Sequence, residues 1–296
     1  MTVSPDHITF LGIGAIGLPM ALRLQDAGFQ VTGVDPFPGP RARATAEGLP
    51  NEEQPLSAKA STAVIVMVAD GDQLQHALDG DAQTGAPGLL SLMLPEAVLI
   101  IMSTVGPDAV RAAADRAGEF GIDVLDVPVT GGIAGVVAGT LRMLASGPRE
   151  VLDSRRAVLE SLGTVIDCGE RIGDGQSYKM VNQLLCSVHI VAAAEALSLA
   201  GRLGLDQDTV LKAMTAGAAN SWMLGDRGPR MLDGIDAQVA SAVGIFVKDT
   251  ALVAEVAENL DIELSMLPAA ARRFAEAADL GHVRRDDSQV MRTYDA

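Results

Sequence analysis

Phe10–Leu24 reads FLGIGAIGLPMALRL, and its order of elements points to one kind of fold. His7–Ile13 is a short apolar run that reads as a strand. Glycines then fall at Gly12, Gly14 and Gly17. Leu18–Gln25 follows with helical spacing, stopping near Gly28, and Phe29–Val34 gives a second strand closing on Asp35. Strand, GxGxxG turn, helix, strand and acid make a dinucleotide-binding unit. The first glycine permits the tight turn, the second lets a pyrophosphate approach the backbone, and the third lets the helix pack on the strand. The helix N-terminus then faces the phosphates.

Working outward, Ala63–Val68, Ala97–Met102 and Ile122–Val127 are continuous apolar runs of the kind buried on both faces of a parallel sheet. Helical patterns at Gln73–Leu78 and from Gly106–Pro107 to Phe120 alternate with them. The alternation predicts an α/β domain of the doubly wound, Rossmann type. Ligands of such sheets bind beyond the carboxyl ends of the strands. Val68–Ala69, Ser103–Thr104 and the loop after Val127 are therefore expected along one crevice. Leu144–Ser146 and Val165–Cys168 read as short strands finishing this domain, with a helix at Pro148–Leu162 between them.

From Gln176 to Ala200 the chain is nearly free of glycine and apolar on almost every side, which predicts one long buried helix. Beyond it only helical patterns appear, at Asp206–Ala216, Ser221–Arg230, Phe246–Leu260 and Leu267–Leu280. The domains expected are 1–172, binding the dinucleotide, and 173–296, all-helical, joined by the long helix. Glu195 is expected buried. Asp286-Asp287-Ser288 near the C-terminus reads either as a segment closing over the site or as a solvated tail.

The chain has 296 residues and a net charge of −16. That balance argues against nucleic acid or an acidic membrane surface as partner. It leaves room for a small anionic substrate, because the field of a site is local. No basic leader precedes an apolar run, and the 176–200 run is interrupted by Lys, Asn, His and Glu, so a cytoplasmic protein is expected. Cys168 and Cys186 suit reduced thiols, and no Cys/His cluster has metal-ligand spacing.

Lysine occurs only at 59, 179, 212 and 248, which makes each worth reading. Lys59 and Lys212 look like surface charges. Lys179 and Asn182 lie three apart, on one face at the start of an apolar helix, where an unused ammonium would be costly. Lys179 can hydrogen-bond an alcohol oxygen, take its proton as a neutral amine, and return it as an ammonium. Upstream, Thr130-Gly131-Gly132 offers a hydroxyl and two bare amides, an anion-binding concavity suited to a carboxylate. His189 is read as a core histidine, and Cys186 as packing. Asp35 would accept ribose hydroxyls and repel a 2′-phosphate, favouring NAD, whereas Arg41 and Arg43 close by are able to accept that phosphate, so NADP stays open.

Four stretches in this order, FLGIGAIGLPMALRL at 10–24, DVPVTGGIAGVVAGTL at 126–141, GDGQSYKMVNQLL at 173–185 and VKD at 247–249, resemble the β-hydroxyacid dehydrogenase family over essentially the whole chain. The family includes 3-hydroxyisobutyrate, tartronate semialdehyde and four-carbon sugar-acid dehydrogenases. The resemblance implies that Gly12, Ile13, Gly14, Ala15, Ile16 and Gly17 hold the dinucleotide, with Asp35, Val68, Ala69, Thr104 and Lys248 also on the cofactor. It implies Thr130, Gly131 and Gly132 on the substrate carboxylate, Lys179 as the catalytic group, and Asn182 on the substrate. It further implies a homodimer or homotetramer through the helical halves. The sequence departs from the family at Val68-Ala69, where an apolar-Pro pair is usual, and at Ser146-Gly147, where Gly-Gly is usual. Arg142 stands where a smaller or uncharged residue is expected. NQLL followed by HIVAAAEAL leans toward the sugar-acid members. Two other readings compete: an imine reductase on the same scaffold, and a dinucleotide-binding protein without turnover.

Overall fold

A computed structural model describes residues 6–81 and 83–295. The chain forms two compact units, Met1–Lys179 and Met180–Ala296.

The first unit begins with β1 (His7–Leu11), α1 (Gly17–Asp26), β2 (Gln30–Val34), α2 (Pro38–Ala46), β3 (Asn51–Glu52) and β4 (Ala63–Val66). It continues through α3 (Gly71–Asp79), a small hairpin of β5 (Gly80–Asp81) and β6 (Ala86–Pro87), α4 (Leu89–Leu92), β7 (Val98–Ile101), α5 (Pro107–Gly118) and β8 (Asp123–Asp126). Six strands form one parallel sheet in the order β3-β2-β1-β4-β7-β8. Order reverses between β1 and β4, so the crevice opens where their carboxyl ends diverge. Successive residues of each strand feed opposite cores. Val98 and Ile100 of β7 join Ile8, Phe10 and Ile65 on one face, while Leu99 and Ile101 join Leu11, Val64 and Val66 on the other. Burial on both faces explains why these strands read as unbroken apolar runs.

A second sheet follows, of β9 (Val129–Thr130), β10 (Leu141–Ala145) and β11 (Gly163–Asp167), in the order β11-β10-β9. Between its strands lie α6 (Gly132–Ala138) and α7 (Arg149–Glu160). This sheet was not expected as a separate element, because β9 is two residues long and carries no run of its own. β10 pairs parallel with β11 and antiparallel with β9, which sets Arg142 opposite Thr130. Arg142 is exposed, on the alternate position of a strand otherwise buried, so its charge stays in water.

The long helix, α8 (Asp174–Arg202), spans 29 residues and passes from the first unit into the second. By length and composition alone it is apolar enough to cross a membrane. Instead Ile190, Ala194 and Leu197 lie in the core of the helical unit. With them pack α9 (Gln207–Thr215), α10 (Trp222–Leu232), α11 (Val243–Asn259) and α12 (Leu267–Ala277), and Phe246 stacks on Phe274 with ring centroids 4.9 Å apart. The expected all-round burial of α8 is not met within one chain. Val181 is 63% exposed and Leu185, Leu199 and Leu203 are likewise exposed, and so is Glu195. An apolar count cannot tell a core from a face awaiting a partner.

Asp286, Asp287 and Ser288 are fully buried, so the solvated tail is excluded. Asp287 accepts from Arg227 Nε and Nη2 at 3.1 and 2.9 Å, and Asp286 accepts from Arg230 Nε at 3.0 Å and Ala240 N at 2.8 Å. These charges pin a 3-10 turn (Asp287–Tyr294) inside the helical unit.

Candidate active site

In the Gly12–Gly17 loop the three glycines do different work. Gly12 has φ +92°, and a Cβ there would overlap the Met67 carbonyl oxygen at the end of β4. A Cβ on Gly17 would overlap the Gly12 carbonyl oxygen. Around Gly14 nothing lies within 4 Å of such a Cβ, so the backbone is open on that side. Ile16 precedes α1 with no side-chain cap. A closed turn, an open middle glycine and an uncapped helix start fit a bound pyrophosphate.

At the end of β2, Asp35 is only 6% exposed, and its Oδ1 accepts from Phe37 N at 3.0 Å. Arg41 donates to the Asp35 and Pro36 carbonyls at 2.8 and 2.9 Å and to Glu53 at 3.1 Å. The Pro-rich stretch PFPGP follows Asp35. It starts α2, with proline in the first turn where no amide is needed. Arg43 is exposed on that helix.

The ends of β4 and β7 are tied together. Ser103 Oγ accepts from Val68 N at 2.7 Å and donates to Val66 O at 3.3 Å. The hydroxyl takes the amide that a continuing strand would use, which is why β4 stops two residues before the apolar run does.

Gly131 and Gly132 have φ +124° and +61°, so two successive residues occupy backbone that side chains avoid, and α6 begins there uncapped. The Thr130-Gly131-Gly132 turn is thus a concavity of amides at a helix start. Lys179 is 7% exposed, and its Nζ donates to Val129 O at 2.8 Å, the carbonyl just before Thr130. The expected amine and the expected carboxylate loop are therefore neighbours within one unit.

In the helical unit, Asn182 Nδ2 donates to Gln183 Oε1 at 2.7 Å and to Cys186 Sγ at 3.3 Å. Gln183, 6% exposed, donates through Nε2 to Asp249, whose other oxygen lies 2.8 Å from Lys248 Nζ. Lys248 therefore pairs with its neighbour, while its ammonium stays partly exposed. Gln183 escaped the sequence reading, whereas Asp249 stands in the VKD stretch quoted from it. The only signal was Gln183 falling four residues after Lys179, a spacing that shares a helix face.

A second set was also missed. Asp126 and Gln176 are fully buried and bonded to each other, fifty residues apart. Burial pushes the Asp126 carboxyl up, and hydrogen bonds from Gln176, Ser146 and Gly173 pull it back part of the way. Burial also pushes the Cys168 thiol up to about 11, so it is inert packing at neutral pH.

Such a crevice and glycine loop are those of a dinucleotide-binding fold, and the relatives make the class an NAD(P)-dependent oxidoreductase. The family model for the NAD binding domain of 6-phosphogluconate dehydrogenase matches residues 7–172, and that for the NAD-binding of NADP-dependent 3-hydroxyisobutyrate dehydrogenase matches 173–294. An L-threonate dehydrogenase of Cupriavidus necator is 36% identical over 290 residues, covering 97% of this chain and 96% of the relative. A 3-hydroxyisobutyrate dehydrogenase of Pseudomonas aeruginosa is 33% identical, covering 73% of this chain and 72% of the relative. The crystal structure of a 3-hydroxyisobutyrate dehydrogenase from Salmonella typhimurium superposes with a TM-score of 0.88 at 31% identity, covering 97% of this chain and 99% of that one. A Streptomyces aurantiacus imine reductase shares the fold alone, with a TM-score of 0.63 at 22% identity, covering 97% of this chain and 99% of that one. The chain belongs to the β-hydroxyacid dehydrogenase family and is an NAD(P)-dependent hydroxyacid dehydrogenase.

Proposed function

We propose that the chain oxidises a four-carbon sugar acid of the threonate class, with Lys179 as acid and base. The observation that carries this is the burial of Lys179 with its Nζ held on Val129 O, beside Thr130-Gly131-Gly132. A carboxylate seated on the amides of that turn would leave the adjacent hydroxyl within reach of the amine. When bound, the nicotinamide supplies the hydride acceptor. Lys179, as a neutral amine, takes the hydroxyl proton, and the ammonium so formed stabilises negative charge developing on oxygen. The Val129 carbonyl keeps the nitrogen from swinging away. Asn182 holds the substrate, and Lys248 serves the cofactor.

The substrate class is supported by the threonate dehydrogenase, similar over nearly its full length. Preference for NAD is supported by buried Asp35 and by Arg41, whose guanidinium is engaged by Glu53 and two carbonyls. The crevice residues Ile13, Ala15, Ile16, Val68, Ala69 and Thr104 complete the cofactor contacts in this reading. Association of helical units is supported by the exposed apolar positions Val181, Leu185, Ala192, Ala196 and Leu199 on α8, of the kind that mark an interface. Replacing Leu185 and Leu199 together by Glu is expected to convert an oligomer to monomers in light scattering. A cytoplasmic setting is supported by Cys168 and Cys186, neither of which is in a disulfide.

The test is a panel of L-threonate, 3-hydroxyisobutyrate, other small hydroxyacids and a cyclic imine, each with NAD and NADP, on the intact enzyme and on Lys179→Ala. Threonate with NAD is expected to give the highest kcat/KM. Preferred turnover of the imine, or near-normal turnover of the variant, would overturn the reading.

A further inference from the structure

The first turn of α8 is tied to strand ends by a closed set of buried polar contacts, all within the first unit. Asp126, the last residue of β8, accepts through Oδ2 from Gly173 N at 3.1 Å, Gln176 N at 3.0 Å and Ser146 Oγ at 3.0 Å. Its Oδ1 accepts from Gln176 Nε2 at 3.0 Å. Ser146 Oγ in turn accepts from Gly175 N at 2.9 Å. Three amides of a helix start, which have no partner within the helix, are thus satisfied by a carboxylate and a hydroxyl from distant strands. The carboxylate also sits at the positive end of the helix dipole. Gly175 has no room for a side chain, since a Cβ would overlap Leu144 O and lie 2.9 Å from Asp126 Oδ2.

Gln176 extends the set to the crevice. Its Oε1 accepts from Val105 N and Gly106 N, both at 3.1 Å, and its Nε2 donates to Ser103 O at 3.0 Å. One side chain therefore clasps the 103–106 turn on both sides of Thr104. Ser103 carries the link on to Val68. The contacts run across the ends of β4, β7 and β8 and finish one helical turn before Lys179. Lys179 itself returns to Val129, three residues after Asp126. Asp126 and Gln176 are fully occupied in these bonds, and both are 0% exposed.

We infer that Gln176, held by Asp126 and Ser146, is the positioning residue that fixes Lys179 relative to the crevice turn bearing Thr104. Gln176 touches neither substrate nor cofactor in this account. It sets the axial and rotational register of the helix turn from which the amine projects. Proton transfer is sensitive to such register, because reacting atoms displaced by a fraction of a bond length lose alignment. The inference rests on the proposed role of Lys179.

The test compares Gln176→Met, which keeps length but no hydrogen bonds, with Ser146→Gly and Lys179→Ala in the full chain. The assay uses NAD with L-threonate, or with 3-hydroxyisobutyrate should the panel select it. Active sites are counted by NADH fluorescence titration. Turnover per NADH-binding site in Gln176→Met is expected to fall about 10- to 100-fold, with KM for the hydroxyacid changed by less than about threefold. The primary deuterium isotope effect on kcat should stay at or above that of the parent, because the chemical step is the one slowed. Ser146→Gly should lose about three- to tenfold per site in the same pattern. A purely structural role would lower the number of NADH-binding sites and leave turnover per site unchanged. Turnover per site within about twofold of the parent in Gln176→Met would overturn the inference. Should that variant fail to fold, Ser146→Gly decides by the same criterion. Low turnover in Lys179→Ala with normal turnover in Gln176→Met removes this inference alone, whereas normal turnover in Lys179→Ala removes the role of Lys179 itself.

Discussion

Each unit buries a large polar cluster, and these two are built on different chemistry. In the first, a single carboxylate, Asp126, is surrounded by neutral donors: two backbone amides, a hydroxyl and a side-chain amide. In the second, Arg227 and Arg230 meet Asp226, Asp286 and Asp287 in a cluster of full charges. Neutral donors fix position through many short, directional bonds that leave little freedom to any one of them. Ion pairs tolerate more play, but are costly to break singly because the survivor is left buried and alone. The first cluster lies beside the proposed chemistry, and the second fastens the chain end. Geometry is kept where atoms must align, and charge is used where a segment must stay docked.

The contrast breaks most sharply at Arg227. Replacing Arg227 by Met leaves the fully buried Asp287 with Arg230 alone, 4.0 Å away, and is expected to cost about 3 kcal/mol of stability, read as a lowered urea midpoint. NADH binding by the first unit should change little. Lys179→Ala should be its mirror image, with normal stability and NADH affinity but kcat lowered at least about 100-fold, equivalent to about 2.7 kcal/mol.

Acid titration separates Asp126 from Asp286 by sign, whereas Asp287 is pushed up by burial as Asp126 is. Asp126 is pushed above its ordinary value of 3.8, chiefly by burial. Its contribution to stability is therefore present below 3.8 and is lost as pH rises through the higher folded value. Burial pushes Asp286 up as well, but Ser288, Ala240 and Arg230 together hold it below 3.8, so its contribution is present above that value and is lost as pH falls. Urea midpoints at several acid pH values should show Asp126→Asn gaining on the parent as pH rises, and Asp286→Asn gaining as pH falls. Identical slopes would show that the two carboxylates do not differ as described. The smallest effect is expected at Asp35. Asp35→Ser should shift kcat/KM toward NADP by about tenfold, or about 1.4 kcal/mol, by removing a charge that repels a 2′-phosphate.

The same contrast governs what could be read from the sequence. The dinucleotide fold was legible because its signals are local: GxGxxG between a strand and a helix, and strands apolar throughout because both faces are covered. Thr130-Gly131-Gly132 and Lys179 were legible as types needing a special backbone or an unusual setting. Asp126 and Gln176 were not, since a carboxylate and an amide fifty residues apart carry no spacing that announces their pairing. Asp286 and Asp287 left a wet tail open as one of two readings, because the arginines that neutralise them sit some sixty positions away. Apolarity all round α8 was misread as burial, when part of it is exposed in the single chain. The two-residue β9 had no pattern of its own and exists because β10 offers it an edge.

Trp222 is the only indole in the chain, and the Arg227 guanidinium lies 5.5 Å from its ring centroid. That same guanidinium is the one gripping Asp287. Release of the chain end would therefore alter the cation next to the sole strong fluorophore, giving the helical unit a built-in optical gauge. Emission would follow undocking of residues 286–289 without any added label, while the first unit, which has no tryptophan, stays dark.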